Sequence, residues 1–319
     1  MVALLPESFT LPLTLRNWPW KSRINPNYEV AKSQSLEWLE SFRPFGPERI
    51  AAFNKGNFAL ACALTAPDAT LYNLRNFCDL MNIFFVFDEY TDVMDPEQDE
   101  NIIGEMTRQF WSRSRVEMLG STEERFIREW EIFLDAQVEQ AVRRGVSYIC
   151  NLEEYMEDRR DNIGMGPLLV FLEVLLGLNL PEAAMNHQTM IALNQHTTDM
   201  ITLGNDMCSY RKEVLANDTD YNVVTIVTRN KGTDVSGAMQ WISNFHDDIV
   251  EQFISLRDQV TQRQGFPSFG REVDDQLARY IDGLGLWVRG HDDWLFTSGR
   301  YFGTKGLQIQ KSRKVYLQQ

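Results

Sequence analysis

Positive charge is scarce: 31 Lys and Arg stand against 45 Asp and Glu, a formal net charge of -14 over 319 residues. Phosphate backbones are gripped by clustered Lys and Arg, so nucleic acid is excluded as a partner, and a polyanionic ligand would need metal ions as mediators. Cysteine is sparse as well: Cys62, Cys78, Cys150 and Cys208 lie far apart, with no CxxC pair. Neither a disulfide framework nor a zinc site is signalled, and a reducing, cytoplasmic setting is expected. Long apolar runs are missing. The longest, Pro167 to Leu180, is too short to span a bilayer and carries Glu173, so it reads as a buried helix. The opening residues, MVALLPESFTLPLTLRNW, have no basic region ahead of a continuous apolar one, so no signal peptide is expected.

Several chemistries are absent too. There is no GxxxxGK[ST], GxSxG, HExxH or strand-embedded GxGxxG, which sets aside the NTPase, serine-hydrolase, zincin and dehydrogenase readings. None of His187, His196, His246 and His291 has a Glu three residues before it, so the Glu-x-x-His pairs of di-iron bundles are missing. The four histidines read as ordinary surface or core residues.

What is present is helix. Gly (19) and Pro (11) are few and fall mostly between segments whose apolar residues recur at three and four. Residues 124–144 keep Phe126, Ile127, Trp130, Phe133, Leu134 and Val138 on one face, and 273–287 repeats the pattern. Further helices are expected over 28–43, 47–63, 69–93, 101–116, 151–163, 167–177, 181–216, 221–230 and 234–263. Alternating strand patterns are scarce. An all-α fold is expected, one helical domain over 1–319, with 1–27 as an N-terminal segment and 302–319 as a flexible tail.

Two oxygen-rich constellations sit on these helices. In Phe84-Phe85-Val86-Phe87-Asp88-Glu89-Tyr90-Thr91-Asp92 an apolar helix ends in acids. Asp88 and Asp92 fall one turn apart, with Phe84 and Met81 beneath them. Like charges on one face repel, and they lie at the wrong helix end for the macrodipole. Solvated acids at a helix end are one reading; hard ligands for Mg²⁺ are the other. In the second, Asn205, Ser209 and Glu213 fall at i, i+4 and i+8, an oxygen stripe that also suits Mg²⁺, while Asp206 points about 100° away by helical geometry and reads as a supporting or surface acid. Ser and Asn inside a helix disfavour it and call for a reason.

An Asp-rich helix end followed by an Asn-x-x-x-Ser-x-x-x-Glu helix resembles the paired metal-binding motifs of class I terpene synthases. The flanking words, Arg23-Ile24-Asn25-Pro26, Tyr155 to Gly164, and Trp294 through Arg300-Tyr301, are similar to those of fungal, basidiomycete-type sesquiterpene synthases. The resemblance implies a helical bundle around a central cavity and Mg²⁺, three ions bound together with diphosphate. It implies metal ligation by Asp88 with Asp92, and by Asn205, Ser209 and Glu213. Arg159 matches the family's diphosphate-sensing arginine, and Lys212, Arg300 and Tyr301 match its other diphosphate donors. Glu89 stands where the commonest form has a second Asp and ranks below Asp88. For Arg159 the plain alternative is surface pairing, since Glu157 and Arg160 make an i,i+3 pair.

The implied activity is loss of diphosphate from farnesyl diphosphate and cyclisation of the resulting carbocation, with C1–C11 closure toward a protoilludene-type tricycle. Such a cation needs a dry chamber with ring faces toward it. Met81, Phe84, Trp287 and Trp294 are the candidate walls. Asn162, Ile163 and Gly164 lie where the family bends the chain and offers a backbone carbonyl, and Gly164 makes a break plausible. Residues 216–221 and the tail are expected to move on closure. The alternatives are an isoprenyl diphosphate transferase, which would carry a second Asp-rich motif, and a non-catalytic helical interaction module. A class II cyclase would need DxDD, and Glu272-Val273-Asp274-Asp275 lacks its first Asp. No membrane span is expected, and the chain is expected as a monomer or a homodimer.

Overall fold

Amphipathic segments of this spacing must bury their apolar faces against one another, and they do so as a helical bundle. The computed structural model describes residues 6–93, 100–145 and 150–317, with side chains described for 6–90, 101–143 and 150–317. The helices are α1 (Tyr28–Phe42), α2 (Pro47–Asn54), α3 (Phe58–Thr65), α4 (Leu71–Val93), α5 (Glu100–Ser114), α6 (Thr122–Gly145) and α7 (Leu152–Asn162). They continue as α8 (Met165–Leu176), α9 (Glu182–Met185), α10 (Gln188–Ala216), α11 (Val223–Lys231), α12 (Val235–Thr261), α13 (Arg271–Thr297) and α14 (Gly306–Ser312). The fold class is all-α, as the periodicity predicts. No helix among the described residues is long and apolar enough to cross a membrane.

Two expected helices are each broken by a turn. The segment 47–63 divides after Asn54 because Asn57 takes the left-handed conformation (φ 46°) and Phe58 lays its ring over Gly56. A Cβ on Gly56 would fall 2.5 Å from that ring, so glycine is required there. The segment 181–216 divides at His187, whose Nδ1 accepts from the Thr189 amide at 3.2 Å and caps α10.

The tail is held by pairing that the sequence pattern misses. Strand β1 (Ser8–Thr10) pairs antiparallel with β2 (Lys314–Tyr316), Phe9 opposite Val315. Three residues apiece are too few for alternation to register. The pair is fastened to α10: Phe9 meets Tyr210 edge-on at 5.7 Å, and Arg211 Nε donates to the Tyr316 carbonyl at 2.7 Å.

Close approach of α3 and α13 depends on Gly290. A Cβ there would fall 2.5 Å from the Leu64 carbonyl. The contact carries Trp287, His291 and Trp294, spaced at i, i+4 and i+7, toward Ala61 and Thr65. Near the N-terminus, Asn25 is buried and donates to the Ala66 and Ala69 carbonyls at 2.9 and 2.8 Å, fixing the turn between α3 and α4.

The acid inside the greasy run, Glu173, is fully buried and answered by Arg125 at 2.6 Å and the Thr122 hydroxyl at 2.9 Å. Arg125 also binds Glu182 at 2.8 Å, so one guanidinium joins α6, α8 and α9. Removing one partner of a buried pair strands the other. Arg125→Met is therefore expected to lower unfolding free energy by about 3–5 kcal/mol in urea titrations, and Arg125→Met/Glu173→Leu to recover much of it. An unchanged midpoint in the single variant contradicts this.

Candidate active site

Helices α4, α6, α7, α8, α10 and α13 surround an apolar chamber of about 190 Å³ whose mouth is polar. Phe84 and Met81 line it one and two turns below Asp88, as helical spacing predicts, and Trp287 and Trp294 line it from α13. Asp88, Arg159, Asn162, Ile163, Asn205 and Arg300 border the same space. Residues far apart in sequence, Asp88 on α4 and Asn205 on α10, thus share one chamber.

Glu89 turns away from it. Its carboxylate meets Arg49 on α2 at 3.2 Å, and Arg49 also donates to its backbone carbonyl at 2.5 Å. Asp88 instead faces Arg300, at 3.5 Å from Nη2. The Asp92 side chain lies outside the described residues.

On α10 the oxygen stripe is organised by a residue that sequence reasoning missed. Asn222, fully buried at the start of α11, donates through Nδ2 to Glu213 at 2.8 Å, to Ser209 Oγ at 3.3 Å and to the Asp206 carbonyl at 2.9 Å. Its own Oδ1 caps α11 at the Val224 amide, 2.9 Å away. An Asn before an apolar helix reads as a cap, and that half of its role was legible. Asn205 donates to the Tyr301 hydroxyl at 2.9 Å, which fixes its amide. Lys212 lies on the exposed side of α10.

Asp206 is buried rather than at the surface. Its carboxylate accepts from Tyr155, from Arg159 at 3.2 Å and from the Val223 amide at 3.0 Å. Arg159 is therefore not a surface partner; its neighbour Arg160 makes a bidentate pair with the buried Asp199, at 2.8 and 2.9 Å. A second arm of Arg159 meets Asn162 at 2.9 Å. The Nε groups of Arg159 and Arg300 are both buried without a partner among the described residues. Buried guanidinium donors left unmatched are costly unless a ligand takes them.

The α7–α8 break lies where Gly164 adopts φ +78°. A Cβ there would crowd the Phe84 ring at 3.1 Å. The Asn162 carbonyl accepts from Gln137 at 2.7 Å, and the Asn162 amide donates to Tyr221 at 2.9 Å.

Charge at the mouth is tuned by burial. For Arg159, burial works against the cation, but Asp206, Tyr155 and Tyr221 outweigh it and hold its pKa above the ordinary value. Burial opposes the Arg300 cation too, and Tyr301 and Asp88 outweigh it. Burial, then the Asp206 charge, push Glu213 up to about 7. His291, which lines the chamber, is drawn down to about 3 by burial and is a neutral imidazole. In the sequence it reads as an ordinary surface or core residue, because no partner spacing distinguishes a lone histidine.

Residues 79–252 match the terpene synthase family 2 C-terminal metal-binding region, which is more than half of the chain. The chain belongs to the terpene synthase family. It is 38% identical to sesquiterpene synthase 14 of Postia placenta, over 98% of this chain and 93% of that protein. It is also 38% identical to a delta(6)-protoilludene synthase of Stereum hirsutum, over 96% of this chain and 86% of the other. In fold it is similar to the crystal structure of germacradien-4-ol synthase from Streptomyces citricolor, with TM-score 0.77, 21% identity, and 91% and 99% of the two chains covered. The family's metal-binding region here spans Asp88, Arg159, Asn205, Ser209 and Glu213.

Because folded Glu213 holds its proton more tightly than an unfolded glutamate, stability from this group is full below about pH 4.5 and lost as pH rises to about 7. Glu213→Gln is expected to raise the thermal midpoint of metal-free protein at pH 8 by about 3 °C or more, with no gain at pH 4.5. Equal gains at both pH values contradict the assignment.

Proposed function

We propose that this terpene synthase removes diphosphate from farnesyl diphosphate and cyclises the resulting cation to a sesquiterpene hydrocarbon. The reading rests on one observation: Asp88 and the Asn205 helix border a single apolar chamber where two buried arginines have unmatched Nε–H donors. The donor set fits a hard divalent cation. Asn205, Ser209 and Glu213 offer neutral and anionic oxygens, and the Asn222 amide bridging Ser209 and Glu213 is a partial positive charge at their convergence. Asp88 and Asp92 would hold metal from α4. Mg²⁺, three ions in this reading, would when bound supply the charge that makes diphosphate a stable leaving group.

The chain's own residues do the rest. Arg159 and Arg300 take phosphate oxygens through planar forks, Tyr301 adds a hydroxyl donor, and Lys212 adds a point charge from the next turn of α10. Asp206 keeps Arg159 aimed. Phe84, Trp287 and Trp294 shape the prenyl chain and offer ring faces to the cation, each worth about 0.5–2 kcal/mol. The break at Asn162, Ile163 and Gly164 abuts the substrate beside Phe84. A protoilludene-type product through C1–C11 closure is supported by the names of relatives at 36–38% identity.

Purified protein with farnesyl diphosphate and Mg²⁺ is expected to release a sesquiterpene hydrocarbon on gas chromatography. Asn205→Ala is expected to cut turnover by about two orders of magnitude or more, with far-UV circular dichroism unchanged. Silence with geranyl, farnesyl and geranylgeranyl diphosphates alike would sink the reading. Longer prenyl diphosphates on adding isopentenyl diphosphate would replace it with chain elongation.

A further inference from the structure

A second apolar cavity, of about 210 Å³, lies behind the chamber wall, between α4, α5 and α6. It shares three rings with the chamber, Phe84, Phe87 and Phe133, so these rings are a partition between two spaces. Phe84 meets Phe133 edge-on at 4.9 Å and 77°, and Phe87 lies 5.9 Å from Phe133. Trp130 supports Phe84 from behind at 5.2 Å. On the chamber side, Gly164 lets both rings sit against the α7–α8 break, since a Cβ would come 3.1 Å from Phe84 and 3.6 Å from Phe133. Beyond the partition the walls are Ile83, Ile103, Gly104, Thr107, Trp130 and Leu134.

The sizes matter. An apolar cavity of about 150 Å³ stays dry and accepts benzene, a six-carbon ligand. A further isoprenyl unit has five carbons, so the space behind the partition is large enough for one such unit and chemically suited to it. The Phe84 ring stands between that space and the chamber that lies beneath Asp88.

We propose that the Phe84–Phe133 partition sets the length of prenyl chain this enzyme accepts, and that the cavity behind it is a latent site for one more isoprenyl unit. The proposal rests on the chamber being a prenyl diphosphate site. Removing the Phe84 ring joins the two spaces without touching the oxygen stripe on α10 or the arginines. Filling the rear cavity from Thr107 closes the added space while leaving the chamber as it is.

The test measures diphosphate release from farnesyl and geranylgeranyl diphosphates in competition, with Mg²⁺. In Phe84→Ala the ratio of kcat/KM for the C20 over the C15 substrate is expected to rise at least tenfold. Thr107→Trp alone is expected to leave the ratio and C15 turnover unchanged, and Phe84→Ala/Thr107→Trp to return the ratio to within about threefold of wild type. Phe84→Leu, a smaller cut, carries the test if the alanine variant fails to fold, with a smaller rise in the same direction. A ratio unchanged in an active Phe84 variant overturns the proposal. So does a rise that survives in the double variant, or a wild-type enzyme that turns over both substrates equally. Wild-type protein that releases diphosphate from neither substrate overturns the reading of the chamber itself, and the partition with it.

Discussion

The site hangs on the buried carboxylate of Asp206. It accepts hydrogen bonds from Tyr155 and Arg159 on α7 and from the first amide of α11, so one side chain of α10 fixes the relative placement of three helices. A buried anion is tolerated only with this much compensation. What the arrangement yields is an arginine whose charge is secured from behind while its Nε has no partner among the described residues. Burial first, and then this same negative charge, raise the proton affinity of Glu213 two turns along α10. The anchor for the cationic side of the mouth thus works against the anionic side, and a bound cation would relieve that tension.

Below the mouth the constraint is reversed: polar groups are few and shape dominates. The Gly290 contact sets how near α13 comes to α3, and so how near Trp287 and Trp294 stand to the α4 wall. Gly164 performs the matching service on the other side, where a left-handed residue both ends the α7 run and clears room for Phe84. Two glycines, neither bearing a functional group, govern the width of the chamber.

Much of this was legible in the residues. Three-four periodicity carried the helices, and i, i+4 spacing put Phe84 and Met81 under Asp88 and aligned Asn205, Ser209 and Glu213. Those are local facts, and helix geometry makes them readable. The helix breaks at Asn57 and His187 were not, because each depends on a side chain folding back on its own backbone. Asn222 was invisible as an organiser: its cap role is local, but its bonds to Ser209 and Glu213 need the return of α11 against α10. Likewise, Glu89 looks like a partner of Asp88 until Arg49 arrives from another helix. The strand pair failed for lack of length, and His291 for lack of any companion in sequence.

That strand pair has a mechanical meaning. Its anchor points on α10, Tyr210 and Arg211, directly follow Ser209, and its second strand lies only thirteen positions past Tyr301. Arg300 and Tyr301 are therefore strung between the end of α13 and a clasp riveted to the oxygen-bearing helix. Slack introduced in either strand would be transmitted to the rim, so the pair acts as a guy-rope for the mouth of the chamber.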